Sequence, residues 1–358
     1  MRDVKHPGPS DLEVVSHAPF NAETPEHALT RDVTSSRHVY VRSNFDVPQL
    51  DGDAHRIAVG GAVTSPYTLT VGELRAMPMR TVTVTMECAG NDRSSMRPPP
   101  AGEVWRSNAV STARWTGVPL AAVLERAGVR SEAVEILAEG ADAGTRDDAD
   151  GRITFARALP VDVARHPDTL LALMMNDEPL APAHGAPVRL VVPGWYGMAS
   201  VKWVARIEAL TEPYRGYFQA KRYVYDFDGA DHRGASGHEP VRRMRVKSAI
   251  VAPAAGDVID GRELHIWGWA WSGDGAITRV EVAVTGGDRW RDAQIVTPPA
   301  SPNAWTRWEL RWQVPHPGRY VLRSRATDAA GNVQPDEAPW NRLGYGNNAV
   351  RTVIVDVR

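Results

Sequence analysis

Only one cysteine, Cys88, occurs in the 358 residues. No internal disulfide can form, so stability has to come from packing and hydrogen bonding, and clusters that need several thiolates are excluded. Long apolar runs are missing too. Nothing approaches the roughly 18 to 20 consecutive apolar residues of a membrane-spanning helix, and the opening MRDVKHPGPSDLEVV lacks the basic-then-apolar pattern of a secretory leader. The chain is therefore expected to be soluble, with no membrane partner and a cytoplasmic location, the periplasm being the alternative if a leader has been removed. Neither sign of charge is in excess: 41 Lys and Arg stand against 43 Asp and Glu. A nucleic-acid binder wants a basic domain or stripe, so no nucleic-acid partner is expected and any positive patch must be local.

What is present is ordinary globular composition, 43% apolar and 23% charged, in a chain long enough for more than one core. The segment RIAVGGAVTSPYTLTVGELRAMP predicts a strand, a turn at Ser65 and Pro66, a short strand, and a helix opened by Thr70 with Glu73 at capping-box spacing. VPLAAVLERAGV places Val118, Val123, Leu124 and Ala127 on a helical period that Gly128 stops. Between them TVTVTMECAGND alternates like a strand and ends in Gly90, Asn91 and Asp92, which predicts a strand delivering Cys88 to a turn.

After about residue 246 the helical period disappears. Short alternating runs such as Val280, Val282, Val284 and Trp308, Leu310, Trp312, Val314 lie between Gly, Asp and Pro turns, the pattern of an all-β sandwich. Two domains are expected, 1–245 and 246–358, with the loop DFDGADHRGASGHEP (226–240) as linker or cover. Eight of the 12 tryptophans fall in the second domain, more than a small sandwich buries, so some should face another domain or subunit.

A lone cysteine is by itself most often a small buried hydrophobe. Here it ends a strand, precedes a Gly-Asn turn whose amides can point at a ligand, and has Arg93 nearby to favour the thiolate. Such a sulfur suits a soft metal carried mostly by a cofactor, or a nucleophile.

ECAGNDRS followed by EVWRSNAVSTARWTGVPLAAVLERAGV resembles the molybdenum-binding core of sulfite oxidases and assimilatory nitrate reductases. The likeness extends upstream to HVYVRSNFDVPQLD and downstream through HGAPVRLVVPGWYGMASVKWVARIEAL, VKSAIVAPAAGDVIDG and HIWGWAWSGDGAITRVEVAV to the end of the chain, covering nearly everything from about residue 25. The resemblance implies an α+β molybdopterin-binding domain followed by an immunoglobulin-like domain that mediates homodimerisation. It implies molybdenum held by the pterin dithiolene, oxo groups and the thiolate of Cys88. By matching positions it puts Arg42, Arg93, Trp105 and Tyr223 in the substrate pocket. It assigns Ser43, Asn44, His184, Arg189, Ser200 and Lys202 to the cofactor, helped by amides around Pro193, Gly194 and Gly197, with Ser111, Thr112 and Arg114 as weaker contributors. Arginine stays charged and its planar fork suits an oxyanion. The implied reaction is oxidation of sulfite to sulfate by oxygen-atom transfer, with electrons leaving to a c-type cytochrome, since no haem or flavin domain is expected in this chain. Reduction of nitrate or of an S- or N-oxide at the same centre is the rival within the enzyme class, and a metal-free binding protein on the same fold is the rival outside it.

Three places depart from the family pattern. Ser43-Asn44 stands where vertebrate and plant members have Asn-His, which changes the hydrogen bonding to the pterin. Asp92 replaces the first of two adjacent arginines, and WNRLGYG puts Leu343 where a pocket arginine is expected, with Arg342 beside it as the candidate replacement. Both latter changes are expected to lie in the substrate pocket.

Overall fold

The computed structural model describes residues 11–227, 239–284, 289–297, 299 and 301–358. The first domain is α+β, with short helices against two five-stranded sheets. In one sheet the alternating strand Arg80–Glu87 pairs antiparallel with Val110–Pro119, Glu87 opposite Val110. Leu170–Met175 pairs on the other side of Val110–Pro119 and is flanked in turn by Glu178–Pro179 and Arg189–Val191. The second sheet runs Tyr67–Thr70, Arg56–Gly61, Val204–Leu210, Glu135–Arg146, Ala149–Pro160. Its pairings are antiparallel except for the parallel pair Arg56–Gly61 with Val204–Leu210.

The local signals hold. Thr70 caps the helix Val71–Ala76 by accepting from the Glu73 amide at 3.0 Å, while the Glu73 carboxylate accepts from the Thr70 amide at 2.8 Å. Leu120–Ala127 buries Leu120, Val123, Leu124 and Ala127 and stops where Gly128 turns left-handed at φ 67°. Gly128 is needed there twice over, because a Cβ would also come within 2.1 Å of the Thr64 hydroxyl.

The second domain is an all-β sandwich. One sheet runs Lys247–Ala252, Glu263–Trp271, Thr306–Gln313, Gln294–Thr297. The other runs Val258–Ile259, Thr352–Val357, Gly318–Asp328, Ile277–Val284, Trp290–Asp292. Leu264, Ile266, Val282, Trp308, Leu322 and Val355 fill the space between them, each essentially without exposure. Of the proposed linker, 228–238 lie outside the described residues, and Glu239–Pro240 pairs with Val224–Tyr225. Among the described residues no helix is long and apolar enough to cross a membrane.

The surplus tryptophans are accounted for at the junction of the two domains. Trp269 stacks on Trp305 at 4.8 Å between centroids. Their indole N–H groups donate to the carbonyls of Leu29 (2.6 Å) and Asp32 (2.8 Å) in the first domain. Trp271 donates to the Glu87 carboxylate at 2.9 Å, and Trp340 to the Pro98 carbonyl at 2.9 Å. Trp269, Trp271 and Trp305 each bury a large apolar body, and all four indoles place their one donor on a partner across the junction, the arrangement that makes tryptophan useful at an interface. The sandwich therefore packs directly against the strand and loops around Cys88.

One buried carboxyl gives this fold a pH signature. Glu23 is 1% exposed and accepts from the Asn108 amide at 3.3 Å. Burial pushes its pKa up to about 7, against the pull of that amide and Arg106. A carboxyl raised on folding contributes most to stability below its unfolded pKa and loses that contribution as pH rises through the folded value. Wild type should therefore lose stability relative to Glu23→Gln between about pH 4.5 and 7, by on the order of 1 to 3 kcal/mol. Parallel denaturation curves across that range test this; a constant difference would contradict it.

Candidate active site

After Glu87 the chain leaves its ladder and turns. The Cys88 amide still donates to the Ala109 carbonyl at 2.8 Å, and the Asn91 amide closes the turn on the Cys88 carbonyl at 2.9 Å. The Asn91 side chain ties both flanks, donating to Glu87 at 2.9 Å and accepting from the Ala109 amide at 3.1 Å. Asp92 then takes the left-handed conformation at φ 64°, which Asp tolerates better than most residues. Gly90 lies so close to Arg93 that a Cβ would meet its guanidinium at 2.8 to 2.9 Å.

The turn is held from behind by the second domain. Lys247, 2% exposed, places its ammonium 3.1 Å from Glu87 and 2.6 Å from Asp92 and donates to the Asn347 carbonyl at 3.0 Å. Burial works against the charged ammonium, yet Asp92 and Glu87 raise its pKa above the ordinary lysine value. Arg351 adds a cation 3.5 Å from the other Asp92 oxygen. This corrects the expectation for Asp92. Its carboxylate does not enter the substrate pocket; it is consumed in an ion cluster that fixes the turn carrying Cys88.

Cys88 is 6% exposed and faces a cavity of about 760 Å³, part of it open to solvent. Burial pushes the thiol pKa up, opposed by Arg42, the Gly90 amide and Arg93, so the expected help from Arg93 is real but smaller than the burial cost. Arg42, Ser43, Asn44, Cys88, His184, Arg189, Ser200, Lys202 and Tyr223 all line this cavity, as expected from the sequence. So do Ser111 and Gly197, whereas Thr112 and Arg114 do not. Arg114 instead pairs with Asp177 on the surface.

One wall of the cavity is rich in cations. Arg189 is 7% exposed, donates to the His184 carbonyl (3.3 Å) and Met86 sulfur (3.1 Å), stacks on Trp115, and leaves its buried Nε without a partner. Lys202 donates to Ser43 Oγ at 2.7 Å and the Ala183 carbonyl at 2.9 Å. Burial and then Arg189 push its pKa well below the ordinary value, while Asp142 works the other way. Burial, Arg189 and Lys202 press His184 down to about 3, so its ring is neutral at neutral pH, with Nε2 buried and unpaired. Trp203, next to Lys202, sits at φ 53°, a strained value for a bulky residue. Its indole donates to the Pro182 carbonyl at 2.9 Å and lies 4.1 Å from the Lys202 ammonium.

Asp142 was not legible as a site residue. Among the described residues it is the one carboxylate lining the cavity, its Oδ1 is buried without a partner, and burial raises its pKa to about 6. Against Arg42, Arg189 and Lys202 it leaves the wall net positive while offering an acceptor for an N–H group. Tyr40, Met86 and Trp115, also unpredicted, supply apolar or aromatic surface.

On the opposite side, Tyr223 Oη lies 3.2 Å from Asn44 Nδ2, and Asn44 Oδ1 accepts from Arg42 at 2.8 Å. Ser43-Asn44 thus links Arg42 to Tyr223. Three expected pocket residues are elsewhere. Trp105 is 1% exposed in the apolar cluster that contains Cys88 and does not line the cavity. Arg93 also lies outside the lining, donating from Nε to the Leu343 carbonyl (3.2 Å) and from Nη1 to the Glu103 carbonyl (3.0 Å), with its guanidinium over the Tyr345 ring at 4.9 Å. Arg342 points away to Asp226 on the surface, so it does not replace a pocket arginine. The Pro193-Gly194 turn likewise packs on the second domain, where a Cβ on Gly194 would come within 3.0 Å of the Gly273 carbonyl.

Among the described residues no group of three or more His, Cys, Asp and Glu side chains can hold a metal. A metal at Cys88 must therefore bring its other donors with it. A pterin dithiolene with a phosphate does so, and its N–H groups and phosphate fit the unpaired Asp142 and His184 atoms and the Arg189 and Lys202 cations.

Two family models define a cofactor-dependent oxidoreductase. The model of the oxidoreductase molybdopterin binding domain matches residues 44–218, and that of the Mo-co oxidoreductase dimerisation domain matches 238–358. The chain belongs to this family of molybdopterin-binding oxidoreductases. It is 36% identical to the mitochondrial sulfite oxidase of Rattus norvegicus over 99% of its own length and 66% of that protein's. It is 36% identical to the sulfite oxidase of Gallus gallus over 96% of its length and 77% of that protein's. The crystal structure of the sulfane dehydrogenase SoxCD from Paracoccus pantotrophus superposes with a TM-score of 0.80 at 30% identity, covering 98% of this chain and 86% of that one.

The ion cluster behind Cys88 is open to test. Lys247→Met leaves two buried carboxylates with only the half-exposed Arg351, 3.5 Å from Asp92, as a cation, which should cost about 3 to 5 kcal/mol of unfolding free energy. Denaturation midpoints measure this, and adding Glu87→Gln and Asp92→Asn should recover part of the loss. A single variant as stable as wild type would mean that the cation is dispensable.

Proposed function

We propose that the chain oxidises sulfite to sulfate and passes the two electrons singly to an external acceptor, a c-type cytochrome. The observation that carries the proposal is a lone buried thiol in a cavity whose walls hold unpaired polar atoms and excess cations. When bound, a molybdenum-pterin cofactor supplies the two-electron, oxygen-transfer chemistry. The balanced reaction is sulfite plus water giving sulfate, two protons and two electrons.

Cys88 is the protein's ligand to the metal. Ser43, Asn44, Asp142, His184, Arg189, Ser200 and Lys202 hold the pterin and its phosphate. Arg42 and Tyr223 attract and orient the oxyanion, while Arg93, tied to the Leu343 and Glu103 carbonyls outside the cavity lining, adds its charge from a distance; positive charge placed where negative charge gathers lowers the barrier without reorganisation at the moment of reaction. The Tyr223 hydroxyl, positioned by Asn44, can donate to an oxygen of the substrate. Trp105 supports the Cys88 turn by packing. The second domain, taken from residue 246, forms a homodimer, in keeping with the two-fold symmetry that homo-oligomers prefer.

Purified protein containing about one molybdenum per chain should reduce ferricyanide or cytochrome c with sulfite and should not oxidise a reduced viologen dye with nitrate. Turnover of nitrate, or of an S- or N-oxide, without sulfite oxidation would overturn the substrate assignment. Cys88→Ser should lose at least ~100-fold in kcat, a barrier increase of about 2.7 kcal/mol. Retained turnover would contradict the role of the thiolate.

A further inference from the structure

We propose that Arg222 is an anion-binding residue of this site, the cation with free donors that closes on the oxyanion between Tyr223, Tyr345 and Arg93. The inference rests on the oxyanion-oxidase reading and adds a residue that neither the motifs nor the cavity lining singled out. Arg222 ends the helical turn Phe218–Arg222 and immediately precedes Tyr223. A Cβ on Gly102 would lie 3.2 Å from Arg93 Nη1 and 3.6 Å from Arg222 Nη2, so the two guanidiniums rest against the same glycine. Tyr345 lies 5.2 Å from the Tyr223 ring and 4.9 Å beneath the Arg93 guanidinium. Tyr345 and Tyr223 are also among the groups that act most strongly on Arg222, while Arg42 opposes its charge. Arg42, Arg93, Arg222 and two tyrosine rings thus share one region.

The donor inventory separates the three arginines. Arg42 spends Nη1 on Asn21 and the Ser43 carbonyl and Nη2 on Asn44, which fixes its own loop. Arg93 spends Nε on Leu343 and Nη1 on Glu103. Among the described residues no hydrogen bond or ion pair engages the Arg222 side chain. Asp148, the carboxylate that feels its charge, is already held by the Tyr217 hydroxyl at 2.6 Å and by Lys221. Like charges gathered with no carboxylate in an ion pair with any of them repel one another, and an arriving dianion relieves that repulsion while taking up the free N–H groups. Arg342 cannot serve in this way, because it is bound to Asp226. Arg222 is also only partly buried, so it can meet the anion before the anion is fully desolvated. The ligand class is a small doubly charged oxyanion, sulfite as substrate and sulfate as product.

The test uses molybdenum-loaded protein and two readouts, sulfate binding by titration calorimetry and sulfite steady-state kinetics. Arg222→Ala should weaken sulfate binding and raise the KM for sulfite by ~10-fold or more, with kcat within about threefold, as loss of a charge-assisted hydrogen bond predicts. Arg222→Lys should fall between, and Arg342→Ala should match wild type. Equal molybdenum content and melting temperature show that each variant is folded. Unchanged sulfate binding and KM in Arg222→Ala, with wild type oxidising sulfite, overturns the assignment and leaves the oxidase reading intact. Loaded wild type that does not oxidise sulfite, yet binds sulfate through Arg222, overturns the oxidase reading and supports the anion site. No sulfate binding by wild type overturns the anion site itself.

Discussion

Lys247 reaches from the second domain between Glu87 and Asp92 and so fixes both ends of the turn that presents Cys88. A buried cation between two buried carboxylates is a demanding arrangement, because each charge has lost its water and only the partners offset that loss. Its value here is geometric. Glu87 is further held by Trp271 and Asn91, and Asp92 by Arg351, so the thiol position depends on contacts from both domains. The stacked Trp269 and Trp305 press the same junction together. The sandwich therefore helps to build the active site, whatever it also contributes to assembly.

From that anchor the cavity divides into two chemistries. Arg189, Lys202, His184 and Asp142 form a deep wall with unused donors and acceptors, suited to a group that is itself polar and anionic. On the other side Arg42 and Tyr223 line the cavity, and Arg93, Arg222 and Tyr345 gather next to Tyr223 outside that lining. Both regions are cationic, but they differ in how far their donors are already committed. Arg42 is bound into its own loop, and Arg222 is not. Pre-organised and uncommitted donors have different uses, the first fixing geometry and the second capturing a ligand.

What the sequence made legible was what short-range chemistry decides. The strand and turn around Cys88, the Thr70 cap and the Gly128 stop each depend on residues within a few positions of one another. The excess of tryptophan correctly implied a second packing surface, because a small sandwich cannot hide so many indoles. The destinies of Asp92 and Arg342 were not legible, since each is decided by a partner distant in sequence, Lys247 in one case and Asp226 in the other. Reading both as pocket residues followed from their positions in a motif, whereas their side chains followed the nearest opposite charge. Asp142 and Arg222 lacked any signal of their own. An aspartate in a long strand and an arginine beside a tyrosine read as solvated charges until the fold brings the first to the cavity wall and the second beside Arg93 and Tyr345.

The account stands on Cys88 as the protein's bond to the metal. X-ray absorption at the molybdenum edge of the loaded protein, comparing wild type with Cys88→Ser, measures that bond directly. One sulfur neighbour should disappear from the metal's first shell in the variant while the pterin sulfurs remain. An unchanged sulfur shell in a variant that still carries molybdenum would contradict the account.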